Sequence, residues 1–206
     1  MKIKFLKTIF LLGLVSSSLT SCVGDDDYVI PTVYEYAFNE GFETSTTGSG
    51  SNEVPISLTG WVNYNASATR LWHARTFTNN IYAEFSSFYS ATGSNDVAWL
   101  ISPAIDLTRT SGELLSFATK TRYSNGYPLT AFVSTNYDGT TAGIATATWT
   151  PLTFARPTVD DAFVNSGNID LSALESNNVR IAFKYTGSKS GITTTCQLDN
   201  IKITKN

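Results

Sequence analysis

Val179-Arg180-Ile181-Ala182-Phe183-Lys184-Tyr185 is the stretch whose reading decides the fold. Its odd positions hold Val, Ile, Phe and Tyr, and its even positions hold Arg, Ala and Lys. Side chains on an extended chain alternate between faces, so one face of this segment packs on a core and the other meets solvent. A helix would instead repeat its apolar residues every three or four positions. Leu129, Ala131 and Val133 share a face in the same way, and Val97-Ala98-Trp99-Leu100-Ile101 is apolar on both sides, as a central strand is. Further strands are expected near 33–38, 61–65, 81–86, 114–121, 148–154 and 197–203. Gly48-Ser49-Gly50-Ser51, Ser124-Asn125-Gly126 and Tyr137-Asp138-Gly139 separate them as turns. The best helical candidate is only Leu171–Glu175, with Asp170 as a possible N-cap. Many short strands with turns between them predict an all-β chain, an antiparallel β-sandwich in a single domain over 33–206.

The last strand contains an irregularity. Cys196 and Leu198 share one parity, whereas Ile201 and Ile203 share the other. The apolar face slips by one residue around Asp199-Asn200, and a β-bulge there reconciles the two halves.

The N-terminus has a different organisation. Lys2, Lys4 and Lys7 precede a short apolar run, which ends in small residues at Ser16-Ser17-Ser18-Leu19-Thr20-Ser21-Cys22. Residues 1–21 therefore read as a secretory signal peptide. The run is far shorter than the roughly 20 residues that cross a bilayer. Leu19-Thr20-Ser21-Cys22 resembles a lipobox, which makes Cys22 the expected site of lipidation and the membrane anchor. Gly24-Asp25-Asp26-Asp27 follows and resembles the surface-export signal of Bacteroidota-type lipoproteins; residues 22–32 then form an acidic tether. The implied location is the outer membrane, facing the cell exterior.

The formal charge is −3, and it becomes more negative once the three signal lysines are removed. Lysines and arginines are scattered without a basic stripe, so a nucleic-acid partner is not expected. The chain has two cysteines, and with Cys22 lipidated Cys196 has no intramolecular partner.

Four stretches carry a family resemblance. They are Phe38-Asn39-Glu40-Gly41-Phe42-Glu43, then Ala98-Trp99-Leu100-Ile101-Ser102-Pro103-Ala104-Ile105-Asp106-Leu107. Next is Val133-Ser134-Thr135-Asn136-Tyr137-Asp138-Gly139 with Ala147-Thr148-Trp149-Thr150-Pro151-Leu152; the last is Ile181–Tyr185 leading to Leu198-Asp199-Asn200-Ile201-Lys202-Ile203. In order and spacing they resemble the choice-of-anchor J or cleaved-adhesin domain of Bacteroidota-type surface lipoproteins. The resemblance implies a jelly-roll sandwich, a noncatalytic binding or adhesive role and one structural calcium ion. In related jelly rolls a glutamate on the first strand and an aspartate on the last hold the ion, and Glu43 and Asp199 match them. Such an ion takes six to eight oxygens, many of them carboxylate or carbonyl. The chain departs from the family after Trp61, where Val62-Asn63-Tyr64-Asn65 stands in place of an acidic loop, so at most one ion is expected.

Catalytic signatures are sparse. His73 is the single histidine, Gly-x-Ser-x-Gly does not occur, and no closely spaced acidic pair sits on one strand face. His73 reads as a packing or surface residue, and Cys196 as a buried thiol. The chain is therefore not expected to be an enzyme. Aromatic residues make up 13% of the sequence. Trp99, Trp149, Phe183 and Tyr185 lie in expected strands and are assigned to the core; Tyr64, Trp72, Tyr89, Tyr123, Tyr127 and Tyr137 lie at strand ends or loops. Of these, Trp72, Tyr123 and Tyr127 are the preferred ligand contacts, with Arg122 and Asn125 supplying polar groups. The expected ligand is an extracellular polymer, foremost a glycan. The alternatives are a protein-directed adhesin or accessory subunit of a surface complex and, third, a glycoside hydrolase. A glycan site predicts a line of exposed aromatics, an adhesin a broad apolar patch or open edge, and a hydrolase a facing carboxyl pair.

Overall fold

The computed structural model describes residues 35–49 and 51–205. The expected signal peptide, Cys22 and tether lie outside the described residues. In chain order the strands are β1 (Glu35–Glu40), β2 (Val62–Asn65), β3 (His73–Phe77), β4 (Asn80–Phe85), β5 (Asn95–Ile101) and β6 (Leu114–Arg122). They continue with β7 (Leu129–Ser134), β8 (Thr150–Leu152), β9 (Val164–Asn165), β10 (Ile169–Asp170), β11 (Arg180–Ser188) and β12 (Thr195–Lys205). Two short 3₁₀ turns, Ser87–Tyr89 and Ala142–Ala145, interrupt them. Leu171–Glu175, the best helical candidate, makes only a single turn, in which the Leu174 amide donates to the Leu171 carbonyl at 2.8 Å.

All pairings are antiparallel and form two sheets. The larger sheet has the order β10-β6-β12-β4-β3, with β1 added to β12 and β9 to β6; the smaller has the order β2-β5-β11-β7-β8. Residues Tyr34–Asn206 form one compact unit. The jelly-roll sandwich expected from the sequence is the architecture observed.

The alternation in 179–185 works as expected. Ile181, Phe183 and Tyr185 are buried between the sheets with Leu100, Leu129 and Ala131, facing Leu115, Phe117, Leu198 and Ile203 of the larger sheet. The Phe117 and Phe183 rings meet edge to face at 5.0 Å and 83°. Burying each such ring stabilises the fold by roughly 2–3 kcal/mol.

The expected bulge is present in β12. Its register on β6 slips between Asp199 and Lys202, and Asn200 takes a left-handed φ of 53°. Here β12 also changes neighbour: Cys196–Leu198 pair with β4, and Ile201–Lys205 pair with β1. The bulge therefore stands where the ends of β1 and β4 come together.

A second apolar cluster lies on the outer face of the smaller sheet. Trp99, Ile101 and Ala182 point away from the sandwich interior and are covered by Tyr137 and Ile144, with Trp149 packed alongside. Trp99 and Trp149 were assigned to the core. Trp99 is buried, but on this outer face, and Trp149 is the half-buried ring stacked over it at 5.2 Å.

Candidate functional site

The outer face of the larger sheet is built by strand parity. With Leu198 and Cys196 turned inward, Thr195, Gln197 and Asp199 of β12 turn outward. Their partners do the same: Arg122, Lys120 and Ala118 on β6, Glu84 on β4 opposite Gln197, and His73 on β3 opposite Glu84. Tyr82 and Arg75 form the next outward row, and Phe77 and Asn80 the one after it.

The middle of this face is a fixed polar network. His73 is almost completely buried, and its Nε2 lies 3.4 Å from Glu84 and 3.7 Å from Glu53. Arg75 reaches Glu84 at 3.5 Å and Glu53 at 3.9 Å, and Arg70 pairs with Glu53. Gln197 donates to Glu84 at 2.7 Å. Burial alone would raise the Glu84 carboxyl, but the nearby His73 ring, the bond from Gln197 and the pull of Arg75 outweigh it and hold the group below its ordinary range. Glu53 follows the same pattern: burial raises it, and Arg70, His73 and Arg75 more than offset that. Both groups stay ionised and paired, which is the opposite of the raised pKa a glycosidase acid needs.

At one end of the face three aromatic rings stand in solvent. Phe88 is 58% exposed, Tyr89 72% and Tyr123 75%. With Ser86, Thr193 and Thr195 they line a cavity of about 330 Å³. Tyr89 also borders a second cavity of about 530 Å³, whose walls include Glu53, Ser67, Thr69, Arg70 and Ser90. The Arg70 guanidinium sits 5.5 Å from the Tyr89 ring and donates to the Ser86 carbonyl.

The turn that carries Phe88 and Tyr89 is held from below. Ser87 and Ser90, on either side of the rings, each donate a hydroxyl to buried Asp96 at 2.6 Å, and Asn65 donates to the same carboxylate at 2.8 Å. Ser86 accepts from the Phe88 amide at 3.2 Å and donates to the Thr193 carbonyl at 2.7 Å. Tyr123 has a φ of 52°, a backbone state that non-glycine residues occupy at a cost. Hydrogen-bonding groups and solvent-facing rings are thus combined on a rigid support.

The residues expected to bind ligand are only partly brought together. Tyr123 and Arg122 are adjacent, with the guanidinium 5.2 Å from the ring and bonded to Asp161 at 2.6 Å. Trp72 is corrected: it is fully buried, tilted against Phe85 at 5.7 Å, and its Nε1 donates to the Ala98 carbonyl at 3.2 Å. It shares the inward parity of Ala74 at the start of β3. Asn125 is also corrected, since its side chain is consumed in closing a loop. Its Oδ1 accepts from the Thr193 and Thr194 amides at 2.8 and 3.1 Å, and its Nδ2 donates to the Gly191 carbonyl at 2.9 Å. Tyr127 packs against the core rather than joining the exposed cluster, and burial pushes its hydroxyl up to about 12. Phe88 and Arg70 were not anticipated. A signal for Phe88 is Ser86-Ser87-Phe88-Tyr89-Ser90, an aromatic pair bracketed by serines, whereas no pattern in the sequence marks Arg70.

Glu43 and Asp199 meet at the bulge. A side-chain carbon on Gly41 would lie 3.8 Å from the Glu43 Cγ and 3.9 Å from the Asp199 Oδ1, so the Glu43 side chain and the Asp199 carboxylate both border Gly41. Asp199 is nearly fully buried and accepts from Asn80 at 2.9 Å. Burial first, then the neighbouring Glu43 charge, raises its pKa despite the hydrogen bonds. A buried carboxylate destabilised by a second carboxylate is the donor set a hard cation suits.

The geometry defines a class, the antiparallel jelly-roll sandwich with an open aromatic and polar sheet face. More specifically, residues 60–205 match a domain of unknown function, DUF5017, and the chain belongs to that family. No curated protein matches the chain. Among solved structures, it is similar to the K1 cleaved adhesin domain of Lys-gingipain from Porphyromonas gingivalis, with 16% identity, 82% of this chain and 98% of that one covered, and a TM-score of 0.49. The K3 cleaved adhesin domain of the same protein gives 19% identity, 84% and 99% coverage, and a TM-score of 0.49. The CBM22-1 xylan-binding domain from Paenibacillus barcinonensis gives 11% identity, 84% and 96% coverage, and 0.47.

Proposed function

We propose that this protein is a noncatalytic, lipid-anchored module of the outer cell surface that binds an extracellular glycan at the Phe88–Tyr89–Tyr123 cluster. The observation that carries the proposal is the convergence of three solvent-exposed rings on one cavity also lined by Ser86, Thr193 and Thr195. Sugar rings stack their apolar faces on aromatics, and neighbouring hydroxyls, amides and charges bond their oxygens. Lipid at Cys22 would anchor the module, and the acidic tether after it supports display on the exterior.

The proposal includes one calcium ion held by the carboxylates of Glu43 and Asp199. The ion would neutralise the two charges and tie the end of β1 to the bulge of β12. The deciding experiment is affinity electrophoresis of residues 28–206 through gels carrying different polysaccharides, with calcium and with chelator. Retardation by one polymer, lost in Tyr89→Ala and Tyr123→Ala, supports the reading. A broad panel that never slows the protein overturns it.

A further inference from the structure

The outer face of the larger sheet has a second aromatic end. Phe77, Tyr82 and Phe163, with Asn80, Lys120 and Asn200, line a trough of about 350 Å³. Phe77 is 69% exposed and Phe163 38%. Phe163 meets Tyr82 edge to face at 6.0 Å, and the Lys120 ammonium lies 4.7, 5.4 and 6.0 Å from the Phe163, Tyr82 and Phe77 rings. Lys120 thus sits over one face of Phe163 and beside the buried Tyr82, and Phe77 is the ring left most open to solvent. Two turns of chain place these rings. The β3–β4 hairpin closes through Thr78 and Asn79, both with positive φ of 50° and 63°, and holds Phe77 at its tip. The β9 pairing of Val164 with Thr119 holds Phe163 beside β6.

Both aromatic ends lie on one face. The row of Arg122 and Thr195 borders the Tyr123 end, and the row of Ala118 and Asp199 borders the Phe163 end. Four residues of strand separate the rows, about 13 Å at ~3.3 Å per residue. Between them the three arginines are matched on the surface itself: Arg122 with Asp161, Arg75 with Glu84 and Glu53, and Arg70 with Glu53, while Lys120 lies against the Phe163, Tyr82 and Phe77 rings. An anionic polymer would find the arginines already engaged and only Lys120 to meet it, whereas the exposed rings suit the apolar faces of an uncharged polyol.

Resting on the glycan reading above, we propose that the Phe77–Tyr82–Phe163 trough is a second subsite, and that one neutral polysaccharide chain runs along β12 to occupy both ends. The protein then recognises the interior of an extended chain, and affinity grows with chain length until both subsites are filled.

Calorimetry with neutral cello-, xylo- and manno-oligosaccharides, from disaccharide to hexasaccharide, tests this on the lipid-free chain with calcium present throughout. Affinity for the series that binds rises with length. Phe163→Ala lowers hexasaccharide affinity roughly tenfold, the size of one good anchor residue, and leaves the disaccharide unchanged. Phe77→Ala, at a more exposed ring, does the same without touching the fold. Tyr89→Ala weakens every length. If Phe77→Ala and Phe163→Ala leave all lengths unchanged while Tyr89→Ala abolishes binding, the second subsite is overturned and the first stands. If no oligosaccharide binds, or if polygalacturonate binds more tightly than any neutral chain, the proposal fails.

Discussion

The two sheets each turn an aromatic-rich face away from the core, and the chain treats the two faces in opposite ways. On the smaller sheet Trp99 and Phe132 are covered by the segment between β7 and β8, with Tyr137 and Ile144 buried against them and Trp149 alongside. On the larger sheet Phe77, Phe88, Tyr89 and Tyr123 stay well exposed, although each is braced by strands, turns or buried hydrogen bonds. The same residue types therefore serve stability on one face and are left free on the other. What separates the roles is whether the chain supplies its own cover. A rigid ring that remains uncovered is available to something outside the molecule.

The largest effect that tests this contrast is on stability. Tyr137→Ala should cost about 3–5 kcal/mol, the range for emptying a buried aromatic site, and should leave carbohydrate retardation intact in whatever fraction stays folded. Denaturant melts with parallel affinity gels would check it. A loss of binding at unchanged stability would reverse the roles of the two faces. Next in size is the cation. At a calcium concentration a hundredfold above its Kd, the ion adds about 2.7 kcal/mol, a rise in Tm of roughly 5–10 °C for a domain of this length. Thermal melts with calcium and with chelator should show that shift, and Asp199→Asn should remove it. Equal melts in both buffers would argue against the ion.

Smaller, and confined to the open face, is the effect of the exposed rings. Tyr89→Ala and Tyr123→Ala should each weaken glycan binding roughly tenfold to thirtyfold, or about 1.4–2 kcal/mol, while moving Tm very little, because both rings are mostly exposed. A variant that unfolds instead would show that the ring was structural.

Much of this was legible in the chain, for identifiable reasons. Period-two alternation located β11, β7 and β12, and the parity slip at Asp199-Asn200 located the bulge, because the side-chain period on a strand leaves no freedom for compromise. Glu43 and Asp199 were picked from the resemblance and not from any pattern in the chain; both lie beside Gly41, and the calcium assigned to them remains a proposal. The binding residues were harder. Trp72 stood beside the lone histidine in a stretch read as loop, but β3 begins at His73 and parity turns the indole inward. That strand was missed because its hairpin closes with Thr78-Asn79 in place of an asparagine–glycine signal. Asn125 was read as a ligand contact, yet a short amide side chain in a turn bonds local backbone first, as it does to Thr193 and Thr194. Trp99 was rightly seen as buried. Periodicity cannot say that the second side of a doubly apolar strand would be covered by a loop from the same chain.

The finest test exploits the difference in how the two faces are held. The side chains that cover the smaller sheet, Tyr137, Ile144 and Trp149, do not titrate in acid and Asp138 beside them bonds only its own turn, whereas the larger sheet's face is braced by carboxylates. Glu84 and Glu53 both titrate below the ordinary 4.5 in the folded chain. The unfolded chain therefore binds protons first as pH falls. Their stabilisation is fully present above about pH 4.5 and is lost as pH drops through their lowered folded values. Glu84→Gln should cost about 1 kcal/mol near neutrality, because Gln197 and Arg75 lose a charged partner, and progressively less as pH falls and the native carboxyl takes up its proton. Tyr137→Ala should cost the same at both ends. Urea melts of the two variants between pH 7 and pH 3 make the comparison. A Glu84→Gln penalty that does not shrink in acid would mean that the network contributes through packing, and the open face would then be braced in the same way as the covered one.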